Sequence, residues 1–157
     1  MGDRRTYRAL VASWLLVAAW AAFIFLMSAN TGDSLSGGSG LVSQVFQWLK
    51  GLQAQLLPEG VDMVNPAGHF CEYLIFGALL ANAWHRTGAP PARAAWLAAA
   101  CASLYGITDE LHQLFVPGRT ADPLDWLVDT GGAAIGALVV CLVIRRAALR
   151  RAGTRQA

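Results

Sequence analysis

From Ala9 to Ala29 the chain carries no charged residue. A helix needs roughly 20 apolar residues to cross a bilayer, so this run restricts the fold more than any motif does. Three further apolar runs follow, at about 69–84, 92–108 and 123–144. The second opens with His69 and Glu72, and the fourth carries Asp125 and Asp129 in its first turns. The second and third are short, so they either cross thinned lipid or hold their polar ends inside protein. In a chain that is 55% hydrophobic and 14% charged, a soluble assembly would have almost no polar helix face to show to water. The expected fold is therefore all-α: a four-span transmembrane helix bundle forming a single domain over residues 1–157.

Charge placement gives that fold a direction. Arg4, Arg5 and Arg8 precede the first run, Arg86 and Arg93 lie between the second and third, and Arg145, Arg146, Arg150, Arg151 and Arg155 follow the fourth. Only Lys50 and Arg119 of the 12 basic residues lie elsewhere. The basic side should be cytoplasmic, which puts both termini inside and the connections 30–68 and 109–122 outside. Every acidic residue except Asp3 falls in those connections or at the outward helix ends. Topology and anionic lipid account for the arginines, so nucleic acid is not an expected partner. The first run is longer than a signal-peptide core of about 7–15 residues, and Met27-Ser28-Ala29 is a poor cleavage site, so it reads as a retained span. Cys71, Cys101 and Cys141 fall at three different depths and read as small packing residues rather than disulfide partners.

The 30–68 connection begins with a flexible Gly- and Ser-rich stretch. Leu41, Val42, Val45, Phe46, Leu49, Leu52 and Leu56 then recur at helical spacing, with Ser43, Gln44, Gln47, Lys50 and Gln53 on the other side. This spacing predicts an outward amphipathic helix on the membrane–water boundary between spans 1 and 2. It could lid the spans or face a substrate. Asn65-Pro66 and Asp122-Pro123 each supply a cap followed by a proline at the first helical position. In the last run, Asp122, Asp125, Asp129, Gly132 and Gly136 form one stripe at spacings of three and four. Its first half is acidic and its second half is a Gly-x-x-x-Gly packing face, so the carboxylates should point at protein rather than lipid.

Ionisable groups at membrane depth are costly and are usually kept for function. The candidate site gathers them from three runs. His69 and Glu72 are three apart on one helical face. Tyr105, Asp109, His112 and Gln113 share a face if their helix continues, whereas Glu110 points elsewhere and reads as solvated. Arg119, Asp122, Asp125 and Asp129 complete the set. So many carboxylates in one place require either protonation or a neutralising cation. The catalytic candidates are His69, Glu72, Asp109, His112 and Asp129. The binding candidates are Glu110, Gln113, Arg119, Asp122 and Asp125. In an enzyme, His69 or His112 would be the general base, Glu72 or Asp109 the acid or orienter, and Arg119 the holder of an anionic group.

Plainer roles compete with these. Asp122 and Asp125 can cap the last helix and complement its dipole. Arg119 can be a counter-ion, and His112 a surface residue. No compact metal-ligand motif is present, so no metal ligands are assigned, and the cofactor stays unknown. Nucleophile-elbow and phosphate-loop motifs are also absent. The inward halves of the runs hold no acid or histidine, so a transmembrane relay lacks stepping stones.

Several pieces in order resemble the VanZ-like family of small bacterial membrane proteins. They are Phe25 to Ser28 with Ser34 and Ser36 after them, His69-Phe-x-Glu72-Tyr73, and Asp109-Glu-x-His-Gln113 followed by Phe115-Val-Pro-Gly-Arg119. Asp122-x-x-Asp125 and Asp129-Thr-Gly-x-x-x-x-Gly136 complete the series. The resemblance covers roughly residues 20–145. Some members have Asn where this chain has Asp129, and members usually have a basic residue shortly before the histidine, where this chain has Val64-Asn65-Pro66. The resemblance implies a four-span protein of the bacterial cytoplasmic membrane, linked to reduced susceptibility to teicoplanin-type glycopeptides. The expected partners are the lipid bilayer and, at the outward site, a lipid-linked envelope precursor or a glycopeptide; a homo-oligomer stays open. A catalytic site and a non-catalytic cluster that locks helix ends or recruits a partner are both compatible with these residues.

Overall fold

Five helices account for nearly all of residues 2–29, 37–117 and 119–154, which the computed structural model describes. They are α1 (Gly2–Ser28), α2 (Leu41–Leu56), α3 (Val64–Arg86), α4 (Pro91–Gln113) and α5 (Pro123–Gly153). No strand occurs among the described residues. Ser34, Ser36, Gly118 and Arg155 lie outside them.

Two helices, α1 from Thr6 to Ser28 and α5, are long and apolar enough to cross a membrane. Of the two readings of the short second and third apolar runs, the helices match the one in which the polar ends are held inside protein. Each run belongs to a helix of 23 residues, about 34 Å long, that continues through its polar end.

The starts of α3 and α5 show how local chemistry fixes each helix. Asp122 caps α5 as expected: its Oδ1 accepts the Leu124 N–H at 2.8 Å, and Pro123 follows. The α3 start differs from expectation. Asn65 is already inside the helix, and the capping carboxylate is Asp62, whose Oδ1 accepts the N–H groups of Val64 and Asn65 at 3.1 and 3.4 Å. Gln53 of α2 adds its Oε1 to the Met63 and Val64 N–H groups at 2.7 and 3.0 Å. Two carbonyl-type acceptors thus satisfy N–H groups that the first helical turn leaves open.

The largest interface joins α3 to α5, and it is built on glycine. A Cβ at Gly132 would stand 2.5 Å from the Phe70 carbonyl oxygen, and one at Gly136 would collide with the Leu74 carbonyl. Gly77 of α3 meets the Ala133 carbonyl in the same way. Small residues permit this backbone-to-backbone approach, as the Gly-x-x-x-Gly stripe predicts. The α4 helix joins with Ala94, Ala98, Ala102 and Gly106, all buried. It is tied to α5 by Trp126 Nε1 donating to Ser103 O at 3.1 Å and by the Thr130–Ser103 hydroxyl bond at 3.0 Å. The α1 helix is pinned by Trp20 Nε1 to Glu72 O at 2.9 Å and by Tyr105 OH to Ala21 O at 2.7 Å. Cys71, Cys101 and Cys141 are free.

The amphipathic helix is present with its expected bounds, 41–56, and it touches only α3 among the described residues. It is not a lid that buries its apolar side: most of the helix is exposed on both faces. Ser43 is buried and Phe46, Lys50 and Gln53 are half-buried, whereas Leu41, Val42, Val45, Leu49, Leu52 and Leu56 are exposed. The Lys50 Nζ–Asp62 Oδ1 ion pair, at 2.7 Å, and the Gln53 cap hold the polar stripe against the α3 start. Between the two helices runs an apolar groove of about 660 Å³ lined by Val45, Leu49, Leu52, Met63, Ala67 and Cys71 among others.

Candidate functional site

Four helix ends meet at one pole of the molecule, where α1 and α4 finish and α3 and α5 begin. Each buried helix stripe changes there from small apolar residues to polar ones. On α4 the alanine stripe runs into Asp109 and Gln113, and on α5 the glycine stripe leads back to Asp129. On α3 the stripe of Leu80, Phe76 and Tyr73 ends at His69. Because the helices are locked through those stripes, the polar groups are brought together by packing.

His69 Nδ1 lies 3.3 Å from Asp129 Oδ1, with the Asp129 side chain fully buried and that of His69 13% exposed. The two atoms are in close approach without an aligned hydrogen bond, since neither has a hydrogen-bond partner among the described residues. Asp109 is buried beside it, and its Oδ2 accepts from Gln113 Nε2 at 3.3 Å. The Ser28 hydroxyl, at the end of α1, is buried near the same carboxylate and has no hydrogen-bond partner among the described residues. Glu72 is half-buried within the fields of His69, Asp109 and Asp129. Arg119 acts on both Glu72 and Asp109 from the α4–α5 connection, and Asp125 acts on His69.

The structure therefore assembles His69, Glu72, Asp109, Gln113 and Asp129, with Arg119 and Asp125 at the margin. Three other candidates are occupied differently. His112 stacks on Phe25 of α1, with ring centroids 4.1 Å apart. Asp122 is exposed and caps α5. Glu110, expected to be solvated, is buried, and its Oε2 accepts the Asp122 backbone N–H at 2.6 Å. The returning connection covers the side of α4 that sequence spacing assigned to solvent. Glu110 and Asp122 thus fasten that connection.

Two contributors were named in the sequence only within the family resemblance and not as site residues. Tyr73 is fully buried with its hydroxyl unpartnered among the described residues, and Ser28 supplies a polar group from α1 beside Asp109. Tyr73 lies four residues after His69, one turn further along the same face, which was the available signal. Ser28 carries no such signal, because its partner is on another helix.

Chemically, a histidine held against a buried carboxylate is suited to proton transfer, with the carboxylate fixing ring orientation. The arginine can hold an anionic group. One ligand atom each from His69, Asp109 and Asp129 also lie within 4.8 Å of one another, a spacing compatible with metal coordination after small adjustment. No sequence motif encoded this trio, because its members come from three helices.

The family model for VanZ/LLP1 matches residues 13–145, a stretch that includes every residue of the cluster. No curated protein and no solved structure matches the chain.

Proposed function

The chain belongs to the VanZ/LLP1 family, and from that premise we propose that it is a multi-pass protein of the bacterial cytoplasmic membrane that binds or modifies a cell-envelope component at an outward polar site. In this reading α1, α3, α4 and α5 all cross the bilayer. A length of 23 residues suits the roughly 30 Å hydrocarbon core. The exposed surfaces of α1 and α5 are apolar at Leu15, Leu16, Leu26, Leu138, Val139 and Val143, as lipid contact requires. The arginines at the opposite pole put both termini in the cytoplasm. Helix α2 rests on the outer boundary with its apolar side in lipid.

The observation that carries the reading is the convergence of His69, Asp109 and Asp129, from three helices, on one sealed spot. Burying such groups costs several kcal/mol each without full pairing, and stability alone is better served by apolar residues there. His69 is the base, oriented by Asp129. Glu72 or Asp109 is the acid, and Arg119 holds an anionic group. A lipid-linked or cell-wall precursor is the substrate class, and the family's link to teicoplanin-type glycopeptides names the first phenotype to measure. The second reading is a non-catalytic accessory protein. The ties between elements favour it, namely Tyr105–Ala21, Trp20–Glu72 and Glu110–Asp122.

The test is complementation of a deletion strain, read by envelope lipid and precursor profiles and by teicoplanin susceptibility. His69→Ala, Asp109→Ala and Asp129→Ala should accumulate normally in the membrane yet fail to complement. Full complementation by all three would remove the cluster from function. Loss of the variant proteins from the membrane, with Asp129→Asn both stable and complementing, would make the cluster structural.

A further inference from the structure

We propose that His69, Asp109 and Asp129 hold one divalent first-row metal ion, of the Mn2+ or Zn2+ type, between α3, α4 and α5. The inference deepens the functional reading at the same cluster: with the ion bound, His69, Asp109 and Asp129 act as ligands and Glu72 is left as the proton-transfer group. Its readout is metal content and needs no envelope phenotype.

The first argument is the unmet bonding of buried oxygens. Asp129 is fully buried and Asp109 is 3% exposed. Both oxygens of Asp129, and Oδ1 of Asp109, have no hydrogen-bond partner among the described residues. A buried carboxylate oxygen that has left water without finding a donor is destabilising by a few kcal/mol. His69 Nδ1, also buried and unpartnered, faces them. Gln113 engages only Oδ2 of Asp109, so it orients that carboxylate while leaving Oδ1 free, as outer-shell partners of metal ligands do.

The second argument is charge. Two ionised carboxylates and one neutral imidazole sum to the opposite of a divalent cation, so the filled site is neutral. A proton on His69 instead would leave the buried trio with one net negative charge. A monovalent cation leaves the same excess.

The third is geometry and ligand type. The candidate ligand atoms lie within 4.8 Å of one another. Tetrahedral donors about 2.0–2.2 Å from a shared ion stand about 3.3–3.6 Å apart, so side-chain movements of about 1 Å close the set. Imidazole suits zinc and iron, and carboxylates suit manganese, so one histidine with two carboxylates fits a first-row divalent ion better than an all-oxygen set would. Three protein ligands leave coordination positions open, the arrangement of catalytic rather than structural sites. A water or an anionic substrate group would complete the coordination, with Arg119 at the margin.

The experiment uses the full-length protein in mild detergent, stripped with chelator and titrated with Mn2+. Free Mn2+ gives a six-line electron paramagnetic resonance signal that binding suppresses. Wild type should remove about one equivalent of signal, and Zn2+ should restore it by displacement. Asp129→Asn and Asp109→Asn should weaken binding at least tenfold, the low end of what even outer-shell changes do. Asp62→Asn, at the distant α3 cap, should bind like wild type. The proposal falls if wild type leaves the Mn2+ signal undiminished and retains no Zn2+, a result that needs no variant to fold. It also falls if Asp129→Asn, eluting as wild type does on size exclusion, binds with unchanged affinity. Metal binding without an envelope phenotype would sink the functional reading alone. Loss of phenotype in His69→Ala without metal binding by wild type would sink this one alone.

Discussion

Gly131 and Gly132 are neighbours on α5, and alanine at the two positions should have opposite effects. A Cβ at Gly131 meets nothing within 4 Å, whereas one at Gly132 would stand 2.5 Å from the Phe70 carbonyl oxygen. Ordinary contact begins at 3.4 Å, so α5 must retreat from α3 by the difference, about 0.9 Å. A radial gap of roughly 0.5–1 Å forfeits a quarter to a half of each dispersion contact across the interface. Overpacking of this kind typically destabilises by about 1–3 kcal/mol. Gly131→Ala creates no clash and gains helix propensity, worth up to about 1 kcal/mol. The two variants should therefore differ by about 1–4 kcal/mol. Unfolding by graded addition of denaturing detergent, followed by tryptophan fluorescence, measures the difference. Gly132 is one turn from Asp129, so the same retreat opens the 3.3 Å contact to His69. Equal stabilities within roughly 0.5 kcal/mol, the scatter of neutral substitutions, would refute the close α3–α5 approach and the site built on it.

Three other outcomes follow from the same coordinates. Glu110→Ala leaves the Asp122 N–H without its 2.6 Å acceptor and should destabilise by about 1–3 kcal/mol, with faster proteolysis at residues 114–122. Burial pushes the Asp62 carboxyl up, but the Lys50 bond and charge and the Asn65 and Val64 N–H groups outweigh it, leaving the carboxyl below its usual 3.8. A depressed folded value means that its contribution is present above 3.8 and is lost as pH falls through the lower folded value. Hydrogen exchange at the Val64 and Asn65 amides should accelerate in that acid window for wild type and show no such step in Asp62→Asn. A reporter fused after Ala157 should read cytoplasmic; a periplasmic signal would overturn the proposed topology.

Patterns internal to one helix were legible in the sequence. The Asp129–Gly132–Gly136 stripe and the Asp122-Pro123 start follow from periodicity and capping, which need no partner. The His69–Asp129 contact depends on the register between α3 and α5, set by the Gly77, Gly132 and Gly136 approaches, and no spacing within either helix encodes it. Glu110 was misassigned because helical phase gives a direction but not what lies there; the α4–α5 connection folds back over it. Helix α2 shows the same gap. Its two faces are plain from 41–56, but the covered one is decided by Lys50 and Gln53 reaching Asp62 and the Met63 and Val64 amides. Tyr73 was hidden because α3 is apolar on every side, so burial leaves no contrast.

The placement of the cluster relative to the helix termini has a consequence for how a ligand arrives. His69 is five residues inside the start of α3, Asp129 six inside the start of α5, and Asp109 four before the end of α4. At about 1.5 Å per residue these are depths of about 6–9 Å. The polar layer of a bilayer leaflet is about 5–8 Å thick. In the proposed topology, with the helix ends at the water surface, His69, Asp109 and Asp129 would stand level with the phosphates and esters of the surrounding lipid. An amphiphile can then offer its headgroup sideways while its tails stay in the leaflet, and a fully water-soluble molecule must descend to the same level to be handled.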